Sequence, residues 1–100
     1  MKLFKIYSLI IVFFFSLSIS NIAHADCNIS DKLALAGKDL AGCNLEGANL
    51  VGANLNFANL EGADLREVNL KRAYYGTAKL KFVIWVDGRK CGEKSVGECL

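Results

Sequence analysis

After its first 25 residues this chain has no histidine; the single one, His24, stands just before that point. A Ser-His or Cys-His nucleophile therefore cannot be assembled from the remainder. The four cysteines contain no C-x-x-C pair for thiol redox chemistry. Their spacings also offer no C-x₂₋₄-C knuckle, which together with the missing histidine argues against zinc. No glycine-rich phosphate loop exists, because the glycines are spread at regular intervals. The one long apolar run, residues 6–19, is 14 residues, short of the roughly 20 that a membrane span needs. These gaps remove most of the usual footing for catalysis, and no cofactor or metal is expected.

What the chain does have is a period of five. Leucine recurs at 35, 40, 45, 50, 55, 60, 65 and 70, and Tyr75 and Leu80 continue the register. One residue earlier stands Asp or Asn, from Asp39 through Asn69, and two residues earlier a small or apolar residue, among them Cys43, Ala53, Ala58, Val68 and Ala78. On an α-helix a five-residue step is about 140°, which would scatter the leucines over every face. On a flat strand an odd step sends successive leucines to opposite faces. They share one interior only if the chain turns inward once per unit. Leucine and the residue two before it then face the axis. Glycine two after leucine (Gly37, Gly42, Gly47, Gly52, Gly62) suits a corner, and the Asx side chain can fix the turn. In this register Lys38 falls on an inward site near the open first turn, where its ammonium can escape to water or be capped. Phe57, Glu67 and Arg72 replace the corner glycine.

The string A-N-L-V-G-A-N-L-N-F-A-N-L-E-G-A-D-L at 48–65 resembles the pentapeptide-repeat family, whose pattern is A-(D/N)-L-x-x. The resemblance implies an all-β fold, a right-handed four-sided β-helix with leucine and alanine stacked inside. Ten units at 33–82 would make about two and a half coils, a core only ~12 Å tall at strand spacing. The run W-V-D-G-R-K-C-G-E-K-S-V-G-E-C at 85–99 resembles the tail of exported bacterial members of that family, which implies a C-terminal lid over residues 83–100. Phe82 to Val86 are read as leaving the five-residue register for an extended segment laid across the last coil. Trp85 is read as core in preference to a ligand platform.

Residues 1–25 read as a secretory signal peptide: Lys2 and Lys5 precede the apolar run, and Ala23-His24-Ala25 supplies the cleavage site. An uncleaved anchor is the next reading. A lipid anchor on Cys27 is disfavoured by the preceding Asp26. Cleavage after Ala25 would leave one small domain in the periplasm or outside the cell, with no stable membrane anchor and ten basic against ten acidic residues. Residues 26–32 would cap the first coil. A domain of that size gains much from covalent closure, and Cys27, Cys43, Cys91 and Cys99 are even in number in the exported part. Three connectivities are possible; Cys27–Cys43 with Cys91–Cys99 is preferred, since each pair brackets one end of the solenoid.

Charge is uneven. Residues 66–90 hold seven basic side chains (Arg66, Lys71, Arg72, Lys79, Lys81, Arg89, Lys90) against two acidic. Asp39, Asp64, Glu46 and Glu61 occupy regular outward sites, the pattern of a solvated face rather than of an acid–base pair in a cleft. The expected role is a non-enzymatic, monomeric interaction module that presents a rigid surface to an envelope or extracellular protein or polymer. Its leading contact candidates are Phe57, Tyr74, Lys71 and Arg72; alternatively Phe57 folds over its neighbours. Another reading, a DNA mimic that engages type II topoisomerases, is suggested by relatives in the resembled family. It is disfavoured by export, short length and neutral charge, and nucleic acid is not an expected partner. The leader reading makes a direct prediction: exported protein begins at Asp26 and carries no lipid. Intact mass checks it, and retention of Met1 or an acyl adduct on Cys27 would refute it.

Overall fold

The computed structural model describes residues 26–100. The signal-peptide reading, with its cleavage site and His24, falls on residues outside those described. Within them, parallel bridges join residues twenty apart: Asp39 to Asn59, Asn44 to Asp64, Asn49 to Asn69, Asn54 to Tyr74, Asn59 to Lys79 and Asp64 to Ile84. Four five-residue units thus separate each rung from the one below, and the chain forms a β-helix solenoid. Its walls are named here by a leucine: Leu40 (with Leu60 and Leu80), Leu45 (with Leu65 and Trp85), Leu50 (with Leu70) and Leu55 (with Leu35 and Tyr75).

The units from Leu35 to Leu80 close with the same turn, except at Tyr75, where the corner residue Thr77 has no positive φ. The amide three residues after leucine donates to the leucine carbonyl, as in Ala48 to Leu45 at 2.9 Å and Ala58 to Leu55 at 3.0 Å. The residue before that amide takes a positive φ, between 69° and 73° at the five corner glycines, as a type II turn requires. The Asx side chain accepts the amide two residues on, for example Ala41 N–H to Asp39 Oδ1 at 3.1 Å and Lys71 N–H to Asn69 Oδ1 at 3.0 Å. Rungs are then tied by two kinds of backbone bond. The leucine amide donates downward (Leu40 to the Asn59 carbonyl, 2.7 Å), and the Asx amide donates upward (Asn59 to the Lys38 carbonyl, 2.9 Å).

The turn points leucine and the small residue at the axis. Leu40, Leu50, Leu55, Leu65, Leu80, Ala53, Ala58, Ala63 and Ala78 are all fully buried. The small residue and the leucine flank one Asx, so each rung delivers two inward side chains per wall.

The upper end takes the capped form expected for Lys38, whereas the lower end differs from sequence expectation. At the top, Asp31 caps a short 3₁₀ turn, Lys32–Leu35, by accepting the Leu33 amide. The Lys38 ammonium does not run out to water. Its Nζ donates to the Asn28 carbonyl at 2.5 Å and pairs with Asp26 at 3.3 Å, leaving the side chain only 20% exposed. The lead-in residues thus neutralise the one charge that the repeat turns inward. Cys27 is bonded to Cys43, an inward residue of the first rung.

At the bottom, Phe82 to Val86 keep the register instead of leaving it. Ile84 bridges to Asp64, twenty residues back; Val83 takes the small inward site at 0% exposure; Trp85 takes the leucine site. Its ring meets that of Tyr75, from the facing wall, edge-on with centroids 5.7 Å apart. Valine fills the same kind of site at Val68, so it is the tryptophan that hides the unit in the sequence. The turn at Asp87-Gly88 then reverses the chain (Gly88 N–H to the Trp85 carbonyl, 2.9 Å). Residues 90–97 return antiparallel, bridging Ile84 to Lys90 and Lys79 to Val96. Gly97 lies so close to Gly76 that a Cβ there would sit 2.2 Å from the Gly76 carbonyl oxygen. The second disulfide, Cys91–Cys99, closes this tail with both cysteines buried. On the chain-entropy estimate, bonds spanning 16 and 8 residues each contribute about 3 kcal/mol, a large share of the margin of a small domain.

The inward assignment predicts unequal costs. Leu55→Ala, mid-stack, should lose about 2–5 kcal/mol, whereas exposed Lys71→Ala should lose under about 0.5 kcal/mol. Asn56 is no neutral outward control, because its Oδ1 accepts the Thr77 hydroxyl at 3.2 Å. Denaturant unfolding of the oxidised protein measures both, and equal losses would mean the wrong column faces the axis.

Candidate functional site

The four candidate contact residues stand on two adjoining walls near the lower end. Tyr74 occupies the Asx position of the Leu55 wall, directly beneath Asn54. Its backbone is held from above by two bonds, Tyr74 N–H to the Ala53 carbonyl at 2.8 Å and Leu55 N–H to the Tyr74 carbonyl at 2.6 Å. Its ring, lacking the short reach that turns an Asx oxygen back to the backbone, is 65% exposed. Phe57 is the corner residue of the same wall one rung higher and is 72% exposed. The two rings thus share a wall on consecutive rungs, and among the described residues they make no ring–ring contact. Lys71 and Arg72 form the turn that leads into Tyr74 from the Leu50 wall.

The Phe57 corner is irregular. At other corners the amide donates to a carbonyl nineteen residues on, as in Gly52 to Lys71 at 2.9 Å. At Phe57 it donates instead to the Thr77 hydroxyl at 3.0 Å, and that hydroxyl donates to Asn56. A threonine side chain has taken over a backbone rung. Phe57 itself holds φ at 62°, with Glu67, Arg72 and Phe82 also left-handed at 58–60°. For a residue with a Cβ that conformation costs about 1–2 kcal/mol.

The basic sector is less basic than its composition. Arg66 is bound by Asp64 (Nη2 to Oδ2, 2.7 Å) and Glu46 (3.2 Å). Lys81 lies 4.0 Å from Glu61 and 3.8 Å from Glu93, and Arg89 pairs with Asp87 at 3.2 Å. Lys81 and Lys90 also flank the Phe82 ring, 5.1 and 5.5 Å from its centroid. Among the described residues Lys71, Arg72, Lys79 and Lys90 form no ion pair. The sequence carried no sign of which cations would be matched, since the partners of Arg66 and Lys81 include carboxylates twenty residues away that only the coil brings near.

A shallow open depression of about 250 Å³ is lined by Glu46, Arg66, Glu67, Val86, Asp87 and Gly88. Arg66 lies among its carboxylates and is engaged with Glu46, and it contains no nucleophile or imidazole. Among the described residues no cluster of His, Cys, Asp or Glu is placed to hold a metal ion. The cysteines are all in disulfides.

Such an object is a small β-helical solenoid, closed at each end by a disulfide and carrying its distinctive side chains on the outside. Residues 39–73 match the family model for Pentapeptide repeats, in 8 copies, so this stretch is pentapeptide-repeat sequence. No curated protein and no solved structure matches the chain.

Two carboxylates report on the site's electrostatics. The Arg66 guanidinium, followed by the Arg66 amide, holds the Asp64 carboxyl below its ordinary 3.8. The Asn28 amide, followed by the Lys38 ammonium, does the same for Asp26. A depressed carboxyl binds protons less readily folded than unfolded. Its contribution to stability is therefore present above the ordinary value and disappears as pH falls through the lower folded one. Carboxyl ¹³C titration should show Asp26 and Asp64 with midpoints below 3.8, and Arg66→Gln should return Asp64 towards it.

Proposed function

We propose that this is an exported, non-catalytic interaction module, acting in the periplasm or outside the cell after cleavage behind Ala25. We read its solenoid as a right-handed, four-sided β-helix of about two and a half coils with a C-terminal lid. Bridges at intervals of twenty residues support the coil, and two disulfides suit an oxidising compartment. Pentapeptide-repeat sequence over 39–73 favours a presenting scaffold over an enzyme. The partner is an envelope or extracellular protein or polymer, met by Phe57, Tyr74, Lys71 and Arg72.

The observation that carries this reading is Phe57. Five corners use glycine without strain, whereas Phe57, like Glu67, Arg72 and Phe82, keeps a left-handed φ near 60°, and its ring, at 72%, is more exposed than that of Phe82 at 40%. Strain held for a side chain that packs against little is the mark of an outward role. Aromatic and arginine side chains also dominate contact energies.

The double variant Phe57→Gly, Tyr74→Ser removes both rings and no inward leucine. It should fold, with the glycine relieving up to about 1–2 kcal/mol of backbone strain. In the native envelope it should recover markedly less of the cross-linked partners that the unaltered protein captures. A folded variant with undiminished capture would disprove the surface.

A further inference from the structure

The lower rim of the solenoid is only half covered. In the upper rungs every leucine amide from Leu40 to Leu65 donates to the rung below, and every small-residue carbonyl from Lys38 to Ala63 accepts from it. In the last rung the returning tail supplies these partners on two walls. Leu80 N–H donates to the Ser95 carbonyl, Gly97 N–H to Ala78, Trp85 N–H to Arg89 and Cys91 N–H to Val83. On the other two walls the equivalent groups are the Val68 carbonyl, Leu70 N–H, Ala73 carbonyl and Tyr75 N–H. Among the described residues they have no partner.

The packing tells the same story. Leu50, Ala53 and Leu55, one rung higher, are fully buried; Leu70, Ala73 and Tyr75 are only partly so. This is a strand edge with ladder groups in sequence and a half-covered apolar floor. Such edges pair with another extended chain unless something blocks them.

We propose that this edge, residues 68–77, takes up an acidic segment of a partner protein as an added rung that turns with the rim at the Lys71–Arg72 corner. The inference deepens the interaction reading above and rests on it. Charge selects the occupant. Lys71 and Arg72 sit at the corner between the two open walls and form no ion pair among the described residues. A second copy docking the same edge would set these cations against their own equivalents, which is unfavourable for directly opposed like charges. Carboxylates at the corner of the incoming segment meet them instead, while its inward residues on the two walls cover Leu70, Ala73 and Tyr75.

The test uses the disulfide-intact protein and a short capped peptide of glutamate and valine with a central glycine to turn the corner, followed by amide NMR and hydrogen exchange. Leu70 and Tyr75 amides should shift, and their exchange should slow by about tenfold or more as they enter hydrogen bonds. A lysine–valine peptide should leave them unchanged. The acidic peptide N-methylated at alternate amides should bind at least about tenfold more weakly, because it keeps its charge and loses its donors. Lys71→Glu with Arg72→Glu should exchange the preference between the two peptides. Absence of binding, binding that leaves Leu70 and Tyr75 unmoved, or equal binding of the N-methylated peptide would each overturn the proposal. So would inorganic polyphosphate producing the same shifts, which would assign the edge to polyanions, or self-association protecting those amides without peptide. The readout is two backbone amides, so it gives its answer whether or not Phe57 and Tyr74 prove to be contacts.

Discussion

One hydrogen bond recurs at every corner of this molecule: the amide three residues after leucine, closing on the leucine carbonyl. It turns the chain through a corner in a fixed number of residues. Because that number is always the same, side chains at one place in the unit always face one way. The axis then receives leucine and a small residue, the rungs fall twenty residues apart, and the ladder between them forms without further instruction. The Asx oxygen, bonded to the amide two residues on, reinforces the same corner from outside. Core and surface thus follow from a local device, repeated.

The local origin explains what could be read from the sequence. Leucine at 35 through 70, with Asx before and glycine after, gave away the period, the inward column and the corners, because each depends on residues within a few positions. The cysteine pairs could be placed at the two ends once the coil was drawn. The last unit could not be seen, since Trp85 stands at an inward site where every earlier unit but that of Tyr75 has leucine. Capping of Lys38 was among the expected outcomes, but not by which groups: Asp26 and the Asn28 carbonyl lie in a lead-in that has no repeat of its own.

The candidate site was legible only in part. Phe57 and Arg72 stand out as departures from the corner glycine, and their exposure follows. The strained φ of Phe57 and the Thr77 hydroxyl that replaces a backbone rung beneath it are not visible in composition. Nor is the sorting of the basic residues into matched and unmatched, because Arg66 meets Glu46, and Lys81 meets Glu61, across a full turn of the coil. The half-open rim is a property of where the tail ends, which no local pattern encodes.

The returning tail also fixes how this architecture can change length. It pairs with two particular walls, and Gly97 packs so closely on the residue 76 backbone that it must itself be glycine. A duplication of twenty residues, the bridge interval, inserts a whole rung and returns the tail to those same walls, so a taller relative keeps both closures intact. A duplication of a single unit swings the tail by one wall, away from the rung built to receive it. Growth of such a protein therefore proceeds in whole rungs, and the ends act as a gauge on which gene-level repeats survive.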